Sequence, residues 1–367
     1  MGESVSFKFE SGLDFQIEAI ESVIDLFEGM NPQADVRTIV HSETGVMGMV
    51  HNEIALGNAL IPSTDAMLEN LRKVQRRHNI PVSRSLIEED SPYPFANFSI
   101  EMETGTGKTY VYLRTIFELH RRCGYRKFII VVPSVAIREG VTSSIKAMTD
   151  HFREIYDSQP FSYFIYSSKD LSKVRQFATS STIEIMVINI QAFQKDAGED
   201  VDYASLSDEQ RKKLNVIHQD ADRMSGRRPI EFIQASNPVV IIDEPQSVDN
   251  TDNSRRAIRT LNPLFCLRYS ATHITHYNLL YQLDPVKAYD MKLVKQIEVI
   301  DACGGHDFNS TFIRLDEVFY PKNAKTPNMI SAAATTTLAE CMNPCSTAVV
   351  VLPWTYSSRM REVRKTS

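Results

Sequence analysis

The sequence predicts an α/β fold in which a mainly parallel sheet is flanked by helices. From Phe95 onward, short runs rich in β-branched and aromatic residues alternate with helical patterns. Several runs contain continuous instead of alternating apolar stretches, which indicates strands buried on both faces. The helical stretches between the runs fit the crossover connections that parallel strands need. The six predicted strands are 97–102, 127–133, 161–166, 184–190, 238–243 and 264–271.

A small helical and irregular region precedes the sheet. Residues 13–28 place apolar side chains at steps of three and four, which is typical of an amphipathic helix. Residues 65–78 follow the capping residue Ser63 and end in basic residues, so a second helix is predicted there. The stretch 31–64 lacks periodicity and is predicted to be irregular.

Two later segments break the alternation of strands and helices. Residues 195–236 are highly charged and predict an inserted helix with a solvated surface. Residues after about 326 are rich in small and polar side chains and predict poorly specified structure.

Composition limits the kinds of function that fit. The 367 residues carry 40 Lys and Arg against 46 Asp and Glu, a net charge of −6. No global basic field attracts nucleic acid, so any site for a polyanion is local. Five irregularly spaced cysteines favour a reducing compartment. Because the chain has neither an apolar run of membrane-spanning length nor a signal-like N-terminus, we expect a cytoplasmic protein with no membrane partner.

The strongest motif is METGTGKTY at 102–110, between a predicted strand and a helical pattern. A glycine-rich turn that enters a helix presents free N–H groups and the positive helix end to phosphate. Lys108 would reach the β- and γ-phosphates, and the Thr109 hydroxyl would bind Mg²⁺. The alternative is a glycine turn with incidental Lys and Thr, and Met102 departs from the strict pattern. The residues assigned to nucleotide binding in this loop are Thr104, Gly105, Thr106, Gly107, Lys108 and Thr109.

A second motif is VVIIDEPQ at 239–246, where two carboxylates end a buried strand. Parallel α/β sheets bind ligands at this edge. Asp243 would hold Mg²⁺ through water, and Glu244 would orient and deprotonate the attacking water. Alone, the pair also fits an ordinary strand-end turn; together with the phosphate loop it predicts a Walker A and Walker B pair whose catalytic residues are Lys108, Asp243 and Glu244.

With these motifs in place, the chain resembles the ATPase half of a superfamily 2 helicase, and specifically the Res subunit of type III restriction enzymes. The segments that carry the resemblance run in the family's order: residues 102–141, INIQAF, IIDEPQS, LRYSATH and 277–299. The resemblance implies a RecA-like P-loop domain that uses ATP and Mg²⁺. It also implies double-stranded DNA and a modification methyltransferase subunit as partners.

Further site residues follow from the resemblance alone. Gln16 would recognise adenine, or it is simply a polar residue of its helix. Ser270 and Thr272 would couple nucleotide state to the grip on nucleic acid, or they only make local backbone bonds at a strand end. Four residues fall where family members contact the sugar-phosphate backbone, which positions a strand without reading its sequence: Pro133, Ser134, Asn189 and Gln191.

The resemblance also gives a domain layout. Residues 1–94 form the N-terminal region, 95–300 the ATP-binding domain and 301–367 the tail, with the second RecA-like and nuclease domains expected to be absent. We therefore expect weak or no activity from the isolated chain. Two alternatives are a non-catalytic nucleotide-binding fragment and a P-loop ATPase unrelated to DNA.

Overall fold

The structure of the protein is a computed structural model. It describes residues 9–30, 39–42, 52–196, 198, 201, 203–221, 226–273, 275–294, 313–319, 329–336 and 347–353. The chain divides into two compact units, 1–295 and 296–367. Residues 295–299 of the MKLVKQIEV segment and much of the predicted tail lie outside the described residues.

Twelve strands form three sheets in the described residues. They are β1 (Ile39–Ser42), β2 (Asn52–Leu56), β3 (Asn97–Met102), β4 (Lys127–Val132), β5 (Phe161–Ile165), β6 (Ile183–Asn189), β7 (Val239–Asp243), β8 (Phe265–Ser270), β9 (Tyr281–Leu283), β10 (Ile313–Phe319), β11 (Met329–Thr336) and β12 (Thr347–Pro353). The central sheet has the order β5-β6-β4-β7-β8-β3-β9, and all its neighbours pair in parallel. The predicted parallel α/β fold is confirmed, and all six predicted strands are present within one residue at each end.

Ten α-helices accompany the strands within the part of the chain that the structure describes. They are α1 (Asp14–Ile24), α2 (Thr64–Arg77), α3 (Lys108–Cys123), α4 (Val135–Ile155), α5 (Ser172–Thr179), α6 (Asp208–Arg211), α7 (Pro229–Ala235), α8 (Pro245–Val248), α9 (Asp252–Thr260) and α10 (Pro285–Asp290). A short 3₁₀ turn, Asp25–Phe27, extends α1. Ser63 caps α2 by accepting a hydrogen bond from the Ala66 N–H, as its position in the sequence predicts.

Both faces of the central sheet are buried. In β4, Ile130 belongs to the hydrophobic cluster on one face and Ile129 to the cluster on the other. The first cluster includes residues of α1, α2, α3 and α4, and the second includes residues of α5, α7 and α9. Helices therefore cover each side, which explains the continuous apolar stretches in the strands.

Several elements differ from the sequence prediction. The stretch 31–64 contains an antiparallel pair, β1 and β2, and β9 is a three-residue edge strand too short to give a pattern. The charged insertion contains α6, α7 and short 3₁₀ turns instead of one inserted helix; Ser207 caps the start of α6, and Pro229 begins α7. In the second unit, β10, β11 and β12 form an antiparallel sheet within the tail that was expected to be poorly specified.

Asn58 joins the N-terminal region to the beginning of the sheet. Its amide nitrogen donates to the carbonyls of Lys127, at 2.9 Å, and Asn237, at 3.0 Å. Its amide oxygen accepts from the N–H groups of Arg126, at 2.7 Å, and Lys127, at 3.0 Å. Because the side chain is buried, it satisfies four backbone groups that water cannot reach easily.

We expect Asn58→Ala to lower the free energy of unfolding by about 2–4 kcal/mol, since it leaves several buried backbone groups unsatisfied. Urea denaturation measures the change. Asn253→Ala, at an exposed position of α9, is the matched control and should change stability by less than about 0.5 kcal/mol. Equal stability of the two variants would contradict the structural role of Asn58.

Candidate functional site

The candidate site lies at the carboxyl edge of the central sheet, where the predicted motifs meet. β8 is paired with β3 on one side and β7 on the other. Glu101 of β3 stands beside Ser270, and Asp243 of β7 stands beside Tyr269. The parallel register therefore brings the phosphate loop, the carboxylate pair and the Ser270 strand end together.

The phosphate loop has the backbone that its glycines permit. Gly105 has a φ of 83° and Gly107 a φ of 89°, both in the left-handed region. Gly107 is the N-cap residue of α3, so the free N–H groups of the helix start at Lys108. The Thr106 hydroxyl closes the turn by donating to the Glu103 carbonyl at 2.6 Å. The loop thus presents a helix N-terminus to the space above it, as expected of a phosphate site.

Gln16 lies directly against this loop. Its side-chain amide donates to the Thr106 carbonyl at 2.9 Å, and the residue is only 6% exposed. A Cβ on Gly107 would stand 2.5 Å from the Gln16 Nε2, so glycine is required there by close approach as well as by φ. The side chain is therefore packed on the nucleotide loop instead of facing solvent; its role in recognising adenine stays a prediction.

Lys108 and Glu244 form an ion pair across the site. The Lys108 Nζ is 3.1 Å from Glu244 Oε1, with the lysine side chain largely buried. Glu244 adopts a φ of 55°, which is uncommon for a residue with a side chain. The unusual backbone turns its carboxylate toward the phosphate loop at the point where β7 ends and α8 begins.

Ser270 links the carboxylate pair to the following loop. Its Oγ is 3.1 Å from Glu244 Oε2 and 2.8 Å from Gln246 Oε1, and it accepts a hydrogen bond from the Thr272 N–H at 3.1 Å. Gln246 in turn donates to Glu244 Oε2 at 2.5 Å. Ser270 therefore makes both the local backbone contact and a contact to Glu244. Thr272 takes part through its backbone, while the residue itself is exposed.

Asp243 is buried at the end of β7, with 7% of its surface exposed. Burial and the neighbouring Glu244 raise its pKa to about 6, against the attraction of Lys108. The Tyr112 hydroxyl lies 3.5 Å from Asp243 Oδ2. Burial and the Asp243 charge raise the pKa of this tyrosine well above its usual value, so its hydroxyl stays protonated.

A cavity of about 610 Å³ joins these groups. Its lining includes Gln16, the phosphate-loop residues Thr104, Gly105, Gly107, Lys108 and Thr109, and both carboxylates, Asp243 and Glu244. No cluster of three or more His, Cys, Asp or Glu side chains able to hold a metal occurs within the described residues. A hydroxyl and one carboxylate on a shared cavity nevertheless fit Mg²⁺, which keeps several waters and needs few protein ligands beside phosphate.

The four residues predicted to contact nucleic acid also come together. Ser134 caps α4 directly after β4, and its side chain accepts from the Ile137 N–H at 3.3 Å. The Gln191 amide donates to the Pro133 carbonyl at 3.0 Å, and Asn189 donates to Gln191 at 3.0 Å. β4 and β6 are neighbours, so these residues share the carboxyl edge of the sheet with the phosphate loop. Their contact with a nucleic acid stays a prediction.

The sequence did not indicate three groups that shape the site, two of which contact the carboxylate pair. Gln246, two residues after Glu244, and Tyr112, three residues after Thr109, both contact the carboxylate pair. Tyr112 could have been found from its spacing, because residues three apart share a helix face. No local pattern indicates which way the Gln246 side chain turns.

The third missed group is a fully buried arginine on β8. Arg268 is 1% exposed, pairs with Asp249 after α8, and donates to Asn97 Oδ1 at 2.9 Å. Its guanidinium lies 4.8 Å from the Tyr93 ring and 4.7 Å from the Tyr277 ring, and these two rings pack edge to face with their centroids 5.8 Å apart. The arginine thereby fixes the end of α8 and the chain that returns after the Ser270 loop.

Fold and site together define a RecA-like P-loop domain of the nucleotide-hydrolase class. A family model described as "Type III restriction enzyme, res subunit" matches residues 62–275, more than half of the chain. The chain therefore belongs to the type III restriction enzyme Res subunit family, and by family it is a helicase-like ATPase. The resemblance inferred from the motifs is confirmed.

Three curated relatives are similar to this chain. The type III restriction-modification enzyme EcoP15I Res subunit of Escherichia coli is 28% identical over 312 residues, covering 80% of this chain and 29% of that protein. The EcoPI Res subunit of Escherichia phage P1 is 29% identical, with the same coverages. The StyLTI Res subunit of Salmonella typhimurium is 31% identical over 48% of this chain and 18% of its own length. The chain spans about 29% of the first two relatives.

A solved structure, the Sulfolobus solfataricus SWI2/SNF2 ATPase core in complex with dsDNA, is 12% identical with a TM-score of 0.30. The match covers 62% of this chain and 35% of the chain in that structure. The assignment of the fold depends on the order and parallel pairing of the strands in the central sheet. Within the described residues, no helix has both the length and the apolar character needed to cross a membrane.

The raised pKa of Asp243 predicts a pH-dependent stability difference. Because the folded pKa of about 6 exceeds the usual 3.8, ionisation between these values destabilises the folded protein, by up to roughly 3 kcal/mol. We expect Asp243→Asn to be more stable than the wild type at pH 8 and close to it at pH 4. Urea denaturation at the two pH values tests this, with exposed Asp290→Asn as the control. An equal difference at both pH values would contradict it.

Proposed function

We propose that this chain binds and hydrolyses ATP with Mg²⁺ as the helicase-type motor domain of a type III restriction system. The observation that carries the proposal is the contact between Lys108 and Glu244 on the cavity that the phosphate loop and Gln16 also line. Lys108 is the group that a phosphate would attract, and Glu244 is the candidate base for the attacking water. Because of their ion pair, a phosphate group and the Glu244 carboxylate would compete for the same lysine, so phosphate binding would release Glu244.

The chain's own residues have separate roles in this mechanism. The N–H groups at the start of α3 would bind the phosphates. Gln16, which packs on the phosphate loop, would orient the adenine ring. When phosphate attracts Lys108, the Glu244 carboxylate becomes available to orient water and accept its proton. Thr109 and Asp243 would hold Mg²⁺, which when bound neutralises charge between the phosphates. Ser270, in contact with Glu244 and the backbone of Thr272, would transmit the change to the loop that follows β8.

The proposed macromolecular partners are double-stranded DNA and the modification methyltransferase subunit of the same system, in the cytoplasm. Support comes from the family and from the grouping of Pro133, Ser134, Asn189 and Gln191 on the same sheet edge as the nucleotide site. Hydrogen-bonding residues at strand ends suit contacts to a sugar-phosphate backbone. Such contacts position the protein on nucleic acid without recognising the base sequence.

Titration calorimetry with Mg-ATP tests nucleotide binding. We expect the wild type to bind and Lys108→Ala to lose about tenfold to a hundredfold in affinity, because a charge-assisted contact to phosphate is removed. Lys146→Ala, at an exposed position of α4, is the matched control and should bind as the wild type does. No binding by the wild type would refute the proposal.

The Ser270 contact predicts a loss of coupling without a loss of nucleotide binding. We expect Ser270→Ala to retain ATP affinity and to lower the stimulation of ATP turnover by duplex DNA about threefold to thirtyfold. The control Ser254→Ala removes a buried serine of α9 that has no contact with the carboxylate pair. ATP turnover that duplex DNA does not stimulate would favour an ATPase unrelated to DNA. ATP binding without turnover would favour a non-catalytic nucleotide-binding fragment.

A further inference from the structure

The charged insertion is fixed to the candidate nucleic-acid edge at one residue, Asn215. The Asn215 side chain donates to the Gln191 carbonyl at 3.2 Å and accepts from the Lys195 N–H at 2.6 Å. Its own N–H donates to the Lys195 carbonyl at 2.8 Å. One of these bonds thus joins the insertion to Gln191, in the segment that directly follows β6, and the other two hold Asn215 on the first residue of the insertion, Lys195.

Buried contacts next to Asn215 make this attachment firm. Ile217 is fully buried in the core, and the His218 ring nitrogen lies 2.8 Å from the Phe193 carbonyl in a buried contact. Burial lowers the pKa of His218, so its ring stays neutral. The segment is therefore built into the domain at this point.

A second set of contacts stiffens the rest of the insertion. The Tyr203 ring lies between two guanidinium groups, 4.8 Å from Arg211 and 4.6 Å from Arg228. Arg211 also donates to the Ala204 carbonyl at 3.0 Å and lies 3.9 Å from Asp220. We call residues 203–221 the pinned segment. A charged stretch held by such contacts differs from the freely solvated helix that its composition predicts.

The pinned segment carries two exposed lysines shortly before Asn215, the residue that bonds to Gln191. Lys212 and Lys213 are exposed, and in the described part of the chain no acidic side chain forms an ion pair with either. Lys213 is two residues from Asn215, within about 7 Å along the backbone, which a lysine side chain spans. Exposed Lys195 lies on the segment to which Asn215 is bonded. Asp208 and Glu209 occupy the preceding turn, α6, farther along the chain from Asn215.

We propose that the pinned segment extends the duplex-DNA surface beyond Gln191, with Lys212 and Lys213 contacting backbone phosphates. This rests on the proposed function, since it deepens the assignment of the same sheet edge. Because the chain has a net negative charge, contacts to phosphate need cationic side chains close together. Lys212 and Lys213 supply this charge, and the hydrogen bonds of Asn215 hold their segment in a fixed position. The segment would add affinity without sequence specificity.

The test is binding of a short labelled DNA duplex to the full chain over a range of salt concentrations. The double variant Lys212→Gln/Lys213→Gln should lose on the order of tenfold in affinity at low salt, and the slope of log affinity against log salt should flatten by about 2. The charge-matched control Lys146→Gln/Lys292→Gln removes two exposed lysines on other elements and should behave as the wild type. Asn215→Ala keeps every charge but releases the segment, and it should also weaken binding.

Mg-ATP affinity should be unchanged in all these variants, which shows that the domain remains folded. If Lys212→Gln/Lys213→Gln matches its control, the pinned segment is not part of the surface and the inference is overturned while the proposed function stands. If the wild type binds ATP but no duplex, the DNA part of the proposed function fails, and this inference fails with it.

Discussion

The parallel pairing of β8 between β3 and β7 is the constraint on which the rest of the site depends. The phosphate loop follows β3, the carboxylate pair ends β7 and Ser270 ends β8, so three segments distant in sequence must finish side by side. A shift of one residue in any of these strands would turn every side chain of that strand to the other face. Continuous burial on both faces opposes such a shift, because every strand position is already packed.

The buried Arg268–Asp249 pair extends this constraint to the chain on either side of the strand ends. Removing two charges from water is costly, and a well-packed apolar pair of similar volume is often as stable. Here the arginine donates to Asn97 from one nitrogen and pairs with Asp249 through another, and it lies against the rings of Tyr93 and Tyr277. An apolar residue would fill the volume without fixing the direction of α8 or the path of Tyr277. The main role of the ion pair is thus to fix the end of α8 and the position of Tyr277, after the loop that follows Ser270.

The sequence predicted the strands far better than the contacts between side chains. The runs at 97–102 and 239–243 are recognisable because continuous apolar strands and glycine-rich turns are local patterns. The short β9, the pair β1–β2 and the contacts of Gln246 depend on partners distant in the chain, and no local pattern specifies them. The insertion shows the same limit: its composition indicates a solvated helix, whereas Asn215 and Ile217 attach it through contacts 20 or more residues away.

Two adjacent residues of the site, Asp243 and Glu244, each have an energetically unfavourable feature. Asp243 is a buried carboxyl whose pKa is raised to about 6, and Glu244 has a left-handed backbone. Both are destabilising by themselves, and Lys108 offsets part of the negative charge by its ion pair with Glu244. A ligand that carries phosphate and a divalent cation would satisfy both partners at once, because the phosphate would replace Glu244 at the lysine and the cation would offset the charge of the buried Asp243 carboxylate. The same groups that cost stability in the free protein would therefore supply the affinity for Mg-ATP, so stability and nucleotide binding are linked through this one pair of residues.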